Sequence, residues 1–390
     1  MAKLAKFLQG VAGVGGAGLN VEEVFSTYLY TGDGGTMTIT NDIDLATEGG
    51  LVWEKNRNGS AYWHHFRDSE TGADKMMELP NTSGLQNVGA GSFTTTGYTA
   101  NATYGATVSG RDYVSWTFRK APKFFDVVTY TGTGSYQGGI SHNLGTAPGM
   151  IIVKRTDSTG NWVVWHRGVD PKNLQLNDTS AASTEYAIQD VTSTTFGVTN
   201  YTTLKASESG ANYVAYLFAH NNGDGEFGPS ADQDIIKCGS FTTDGSGNAT
   251  VNLGWEPQFV LWKITNYSAD WNIYDSMRGF VVHTSGGKIL RPNTTNAELN
   301  INQLRPSATG FDGVGVGGGG AAYNVIYMAI RRGPMAVPES ATDVFAIDQQ
   351  NSSEPYLTSG FPVDFAFQKR KDTSSNWMTG SRLQGQRQLN

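Results

Sequence analysis

The chain has 390 residues, a net charge of −7 and an isoelectric point near 5.4, with only 16% of residues charged. That balance gives no electrostatic reason to expect nucleic-acid binding. The 49 glycines suit short strands and tight turns and exclude a helical bundle. No apolar run approaches the ~20 residues of a membrane-spanning helix, so no membrane insertion is expected. A single cysteine, Cys238, rules out an intramolecular disulfide and a cysteine-built metal cage, and fits assembly in a reducing cytoplasm.

In residues 1–20, Leu4, Leu8 and Val11 fall at i, i+4 and i+7 on one helical face. The stretch predicts a short docking helix or anchor arm. Glycines at 13, 15, 16 and 18 then read as a hinge.

Beyond the arm, one pattern recurs. A lysine is followed eight positions later by a tryptophan at Lys55/Trp63, Lys154/Trp162, Lys263/Trp271 and Lys369/Trp377. About fifty residues after each of the first three tryptophans comes a tyrosine-led apolar strand, at Tyr113, Tyr213 and Tyr323. Each copy opens on a strand and a glycine turn, as in Asp33-Gly34 and Asp244-Gly245. A very apolar strand then leads to the lysine, as in Met150-Ile-Ile-Val-Lys154, and a polar turn separates it from the tryptophan. The copies delimit units at 21–123, 124–231 and 232–341, and an incomplete unit at 342–390 that stops thirteen residues after Trp377. The expected architecture is all-β: tandem β-sandwich-like units stacked in an elongated array.

The tryptophans could stack on sugars, but their recurrence at one position in every copy predicts core residues, along with the three tyrosines. The lysines are expected to lay their stems along the sheet and keep the ammonium in water. None of the six histidines has zinc spacing. The run from Asn222 to Asp234 lacks the ligand order of a calcium loop. No catalytic residue, metal ligand or cofactor site is singled out.

The runs Val128-Thr-Tyr-Thr-Gly-Thr-Gly, His142-Asn-Leu-Gly-Thr-Ala-Pro-Gly-Met-Ile-Ile-Val-Lys-Arg and Asn161-Trp-Val-Val-Trp-His resemble a repeated module of virion appendage proteins in tailed bacteriophages. Trp53-Glu-Lys-Asn-Arg looks like the same module in variant form. The resemblance implies a structural tail-fibre protein serving host attachment, located in the virion tail. It implies contact with other tail proteins through the N-terminus and with a host receptor or glycan through distal regions. Fibres of this kind are homotrimers, and the unfinished fourth unit reads as the N-terminal part of a longer fibre. A second reading is a tandem carbohydrate-binding protein holding a host surface glycan.

Overall fold

The computed structural model describes residues 18–89, 91–283, 287–349, 359, 361, 363–374, 376–384 and 388–389. Leu4, Leu8 and Val11 lie outside them. The fold is all-β, built from several separate antiparallel sheets. One four-residue helix, Val21–Val24, leads into the first strand. Its start is tied by Glu23, whose carboxylate accepts from the backbone N–H of Asn20 at 2.9 Å.

Three units share one plan. The main sheet runs opening strand, closing strand, lysine strand, return strand. Opening strands are Phe25–Thr31, Phe125–Thr131 and Ile236–Thr242. Closing strands are Asp112–Arg119, Asn212–Phe218 and Asn324–Arg331. Lysine strands are Gly50–Asn56, Met150–Arg155 and Pro257–Ile264, and return strands are His64–Asp68, Trp162–His166 and Asn272–Asp275. A three-stranded sheet covers one face of each main sheet, for example Ala249–Asn252 beside Gly310–Gly313 and Leu304–Ser307.

The main sheets are buried on both faces. Along the first lysine strand, Val52 faces the small sheet of its own unit, whereas Leu51 and Trp53 join a core shared by all three units. In the third unit Val260, Trp262 and Ile264 face outward to the small sheet, and Phe259 and Leu261 face the shared core. This explains why these strands read as unbroken apolar runs: neither face meets water. At the centre Phe118 of the first unit lies 5.4 Å from Phe218 of the second and 6.2 Å from Phe259 of the third, ring centre to ring centre.

The expected elongated array is therefore corrected. The units close a ring around a common core, because a rod would leave the second apolar face of every main sheet in water. All opening strands begin, and all closing strands end, at one pole of the block, as the pairs Phe25/Phe118, Phe125/Phe218 and Ile236/Ile330 show. There Glu22 accepts from the backbone N–H groups of Met335 and Ala336, both at 3.0 Å, so the entry to the first unit meets the exit from the third. The Lys–Trp hairpin turns gather at the other pole.

Register displaces two of the expected core residues, Trp63 and Tyr323, and a third, Trp377, keeps its register but is left exposed. Lys154 pairs with Trp162, but Lys55 pairs with His64. The first hairpin turn is one residue longer, so Trp63 is displaced into the turn and is 39% exposed. Tyr113 and Tyr213 sit in their closing strands, stacked at 5.1 Å on Tyr30 and Tyr130. In the third unit the position opposite Phe241 is Val325. Tyr323 precedes the strand, and its hydroxyl donates to the Gly317 carbonyl at 3.2 Å. In the fourth copy Trp377 is 53% exposed.

Candidate functional site

Two constellations stand out: the joints of the ring and one cleft at the hairpin pole. Each joint is made the same way. Lys154 donates to the Thr82 carbonyl of the first unit at 2.9 Å, and Lys263 to the Thr179 carbonyl of the second at 3.0 Å. Lys55 closes the circle on the Thr295 carbonyl of the third at 3.4 Å. Beside them, Trp162 Nε1 donates to Asn81 O at 3.0 Å and Trp271 Nε1 to Gln175 O at 2.8 Å. His64 takes the equivalent role in the first unit. Its Nδ1 accepts from Trp53, so Nε2 carries the hydrogen and donates to Arg291 O at 3.1 Å. A backbone bond repeats at every joint: Leu85 to Thr156, Ala182 to Thr265 and Glu298 to Arg57.

Nearer the other pole a second contact repeats. Tyr216 donates to Asp68 at 2.8 Å, Trp116 to Asp275 at 3.0 Å, and His166 Nε2 to the Tyr327 carbonyl at 3.1 Å. The lysines are thus buried fasteners, not solvated stems. Burial pushes Lys55 and Lys154 down to about 7, and Lys263 to about 8. Each lysine donates to two carbonyls; for Lys263 these are Thr179 and Ala269.

The cleft lies in the third unit, between the outward face of the lysine strand and the loop that follows Gly310–Gly313. Its volume is about 220 Å³, and its lining includes Trp262, Tyr267, Asp270, Asn272, Arg291 and Gln303. Trp262 and Ile264 form the apolar floor. Tyr267, in the hairpin turn, is 62% exposed, and its ring lies 6.2 Å from that of Tyr323. Asp270 is paired with Arg291 at 2.7 Å and accepts from Asn293 Nδ2 at 2.7 Å. Arg291 Nε also reaches Asn272 Oδ1 at 3.4 Å. Lys263 secures the turn from behind through the Ala269 carbonyl at 2.6 Å. The Trp262 Nε1–H is buried without an acceptor among the described residues.

The equivalent space is filled in the first unit. There a 3-10 turn, Ala102–Tyr104, places the Tyr104 ring 5.8 Å from His65, the counterpart of Asn272. Arg67 lies 5.3 Å from the centre of that ring and pairs with Glu54 at 3.0 Å, both side chains fully buried. In the third unit the matching turn is Val316–Gly318, with glycine in place of tyrosine. Gly317 has φ +69°, and a Cβ there would come within 2.4 Å of the Tyr323 ring. The glycine tract and the displaced Tyr323 together open the cleft.

Sequence reasoning missed this cleft. The available signals were Tyr267 alone in a polar turn and the glycine tract itself. It also missed the cross-unit partners of Asp68, His166 and Asp275, because pairing between units has no local pattern. Among the described residues no group of three or more His, Cys, Asp or Glu side chains could hold a metal ion. Asp234 instead holds the 222–225 turn, accepting from Gly223 at 2.9 Å and Gly225 at 3.0 Å. No helix among the described residues is long and apolar enough to cross a membrane.

Fold and site together define a closed three-unit β-block with an aromatic cleft at the pole opposite its entry and exit. The chain belongs to the family of a domain of unknown function, DUF7483, whose model matches residues 21–334, the whole of the ring. No curated protein matches it.

Proposed function

We propose that this chain is a structural protein of a phage tail appendage that serves host attachment, and that it works by binding and not by catalysis. The family likeness of the Lys–Trp module prompted the reading. The observation that carries it is the polarity of the ring. Entry and exit share one pole, secured by Glu22, which leaves the hairpin pole, with Trp63 and Tyr267 exposed, free to face outward. Tail proteins would be met through the N-terminal arm, and the host surface through the hairpin pole.

The fourth repeat supports assembly into a homotrimer. Its hairpin pairs Phe365–Gln368 with Met378–Ser381. Phe365 and Phe367 occupy the positions of Phe259 and Leu261, which the third unit buries in the shared core. Here they are 61% and 58% exposed. Lys369 sits 5.4 Å from the Trp377 ring centre, much as Lys154 sits 5.8 Å from that of Trp162. Three copies of that hairpin, one per chain, would cover one another as the three units of the ring do. Purified phage particles encoding this chain should contain it by mass spectrometry, and the isolated protein should compete with those particles for adsorption to host cells. Particles lacking the chain would refute the proposal.

A further inference from the structure

We infer that the cleft of the third unit is a binding site for one neutral sugar ring, a hexose or N-acetylhexosamine. Sugars present two kinds of surface at once: an apolar face of C–H groups and an edge of hydroxyls that both donate and accept. A protein site for them therefore combines an aromatic ring with planar polar groups. This cleft has both. Tyr267 offers an exposed ring at the mouth, above a floor of Trp262 and Ile264. Asn272, Arg291, Gln303 and Asp270 supply amide, guanidinium and carboxylate groups around it.

Size and charge narrow the ligand. The volume of about 220 Å³ lies below the roughly 300–1,000 Å³ of ordinary ligand pockets, which limits the ligand to a small one such as a single sugar ring. Arg291 and Asp270 neutralise each other at 2.7 Å, so the site carries no spare charge to select a uronate or a phosphate. Asp270 is engaged at both oxygens, by Arg291 and by Asn293, which holds the polar rim in place before any ligand arrives. Trp262 lines the cleft, and its Nε1–H is a buried donor without an acceptor among the described residues, which makes its resonance a local reporter of the site. The first unit lacks this vacancy, since Tyr104 occupies the matching space there.

The inference deepens the host-attachment reading, on which it rests only for where the sugar comes from. The test uses the full chain, labelled so that its indole N–H resonances are resolved, titrated with glucose, galactose, N-acetylglucosamine, N-acetylgalactosamine and galacturonate. The Trp262 resonance is identified by its loss in Trp262→Phe. At least one neutral sugar should shift it, with galacturonate weaker. Tyr267→Ala and Gln303→Ala should each weaken that binding by about tenfold, and Tyr267→Trp should restore it. The other indole resonances report that the variants remain folded. No shift with any sugar, or binding unchanged in both variants, would overturn the site. Sugar binding by a chain absent from virions would instead retain the site and remove the tail-appendage reading.

Discussion

Trp63 and Trp162 stand at the same distance from their lysines in sequence, and the ring treats them oppositely. Trp162 is fully buried and donates to a carbonyl of the neighbouring unit. Trp63 lies in a turn one residue too long to deliver it. Trp162→Ala should lower the unfolding free energy by about 3–5 kcal/mol, through a cavity and an orphaned acceptor. Trp63→Ala should change it by less than about 0.5 kcal/mol. Urea titration of both variants checks the register directly. The titratable residues make a second prediction. Burial pushes His65 down to about 3 and His166 to about 4, so both stay neutral in the fold while the unfolded chain takes up protons near 6.5. Their contribution is complete above pH 6.5 and is lost as pH falls through that value towards 4. The lysines act on the alkaline side. The folded chain releases the Lys154 proton near 7 and the unfolded chain near 10.5, so stability should rise with pH across that window. A urea midpoint that is flat from pH 7 to 10, or that falls, would contradict the buried fastener.

The element that separates this protein from a set of ordinary sandwiches is the main sheet with two apolar faces. One face meets the unit's own small sheet, and the other meets two sister units. The fourth-repeat hairpin carries the same inward residues without the sisters, and exposes Phe365, Phe367 and Trp377. An unpartnered face of that kind associates. Phe365→Asp combined with Phe367→Asp should convert a trimer of the full chain into a monomer, read by light scattering coupled to size-exclusion chromatography. The ring should remain folded in that variant, because neither residue belongs to its core. A wild-type chain that is monomeric at micromolar concentration would count against the trimer.

At the scale of the whole molecule, closure changes how the repeats behave. In an open array each repeat touches only its neighbours, and unfolding proceeds by parts. Here the last unit returns to the first through Lys55, His64 and Arg57, the last pairing with Glu298 at 3.1 Å. No unit can leave without exposing the faces of both others. Calorimetry should therefore show one transition for the ring, with matching calorimetric and van't Hoff enthalpies. Three resolved transitions would mean that the joints are weaker than the contacts suggest.

How much could be read in advance follows from the range of each interaction. The strands, the turns and the threefold recurrence were legible in the residues alone, because alternation, Asp-Gly turns and repeated spacing are local properties of a chain. The inward burial of Trp162, Trp271, Tyr113 and Tyr213 followed from recurrence. The displacement of Trp63 did not, because a one-residue slip in a turn leaves spacing almost intact and moves a side chain to another surface; nor did that of Tyr323, which stands two residues before Val325, the position opposite Phe241. The union of three units into a ring was hidden for a different reason. A strand buried on both faces looks the same whether its second partner is the next unit, a sister two units away or another chain. Only the three-dimensional arrangement decides which apolar face meets which. That arrangement also left open in the third unit a space that the first unit fills, with glycine standing where a tyrosine ring stands in the first.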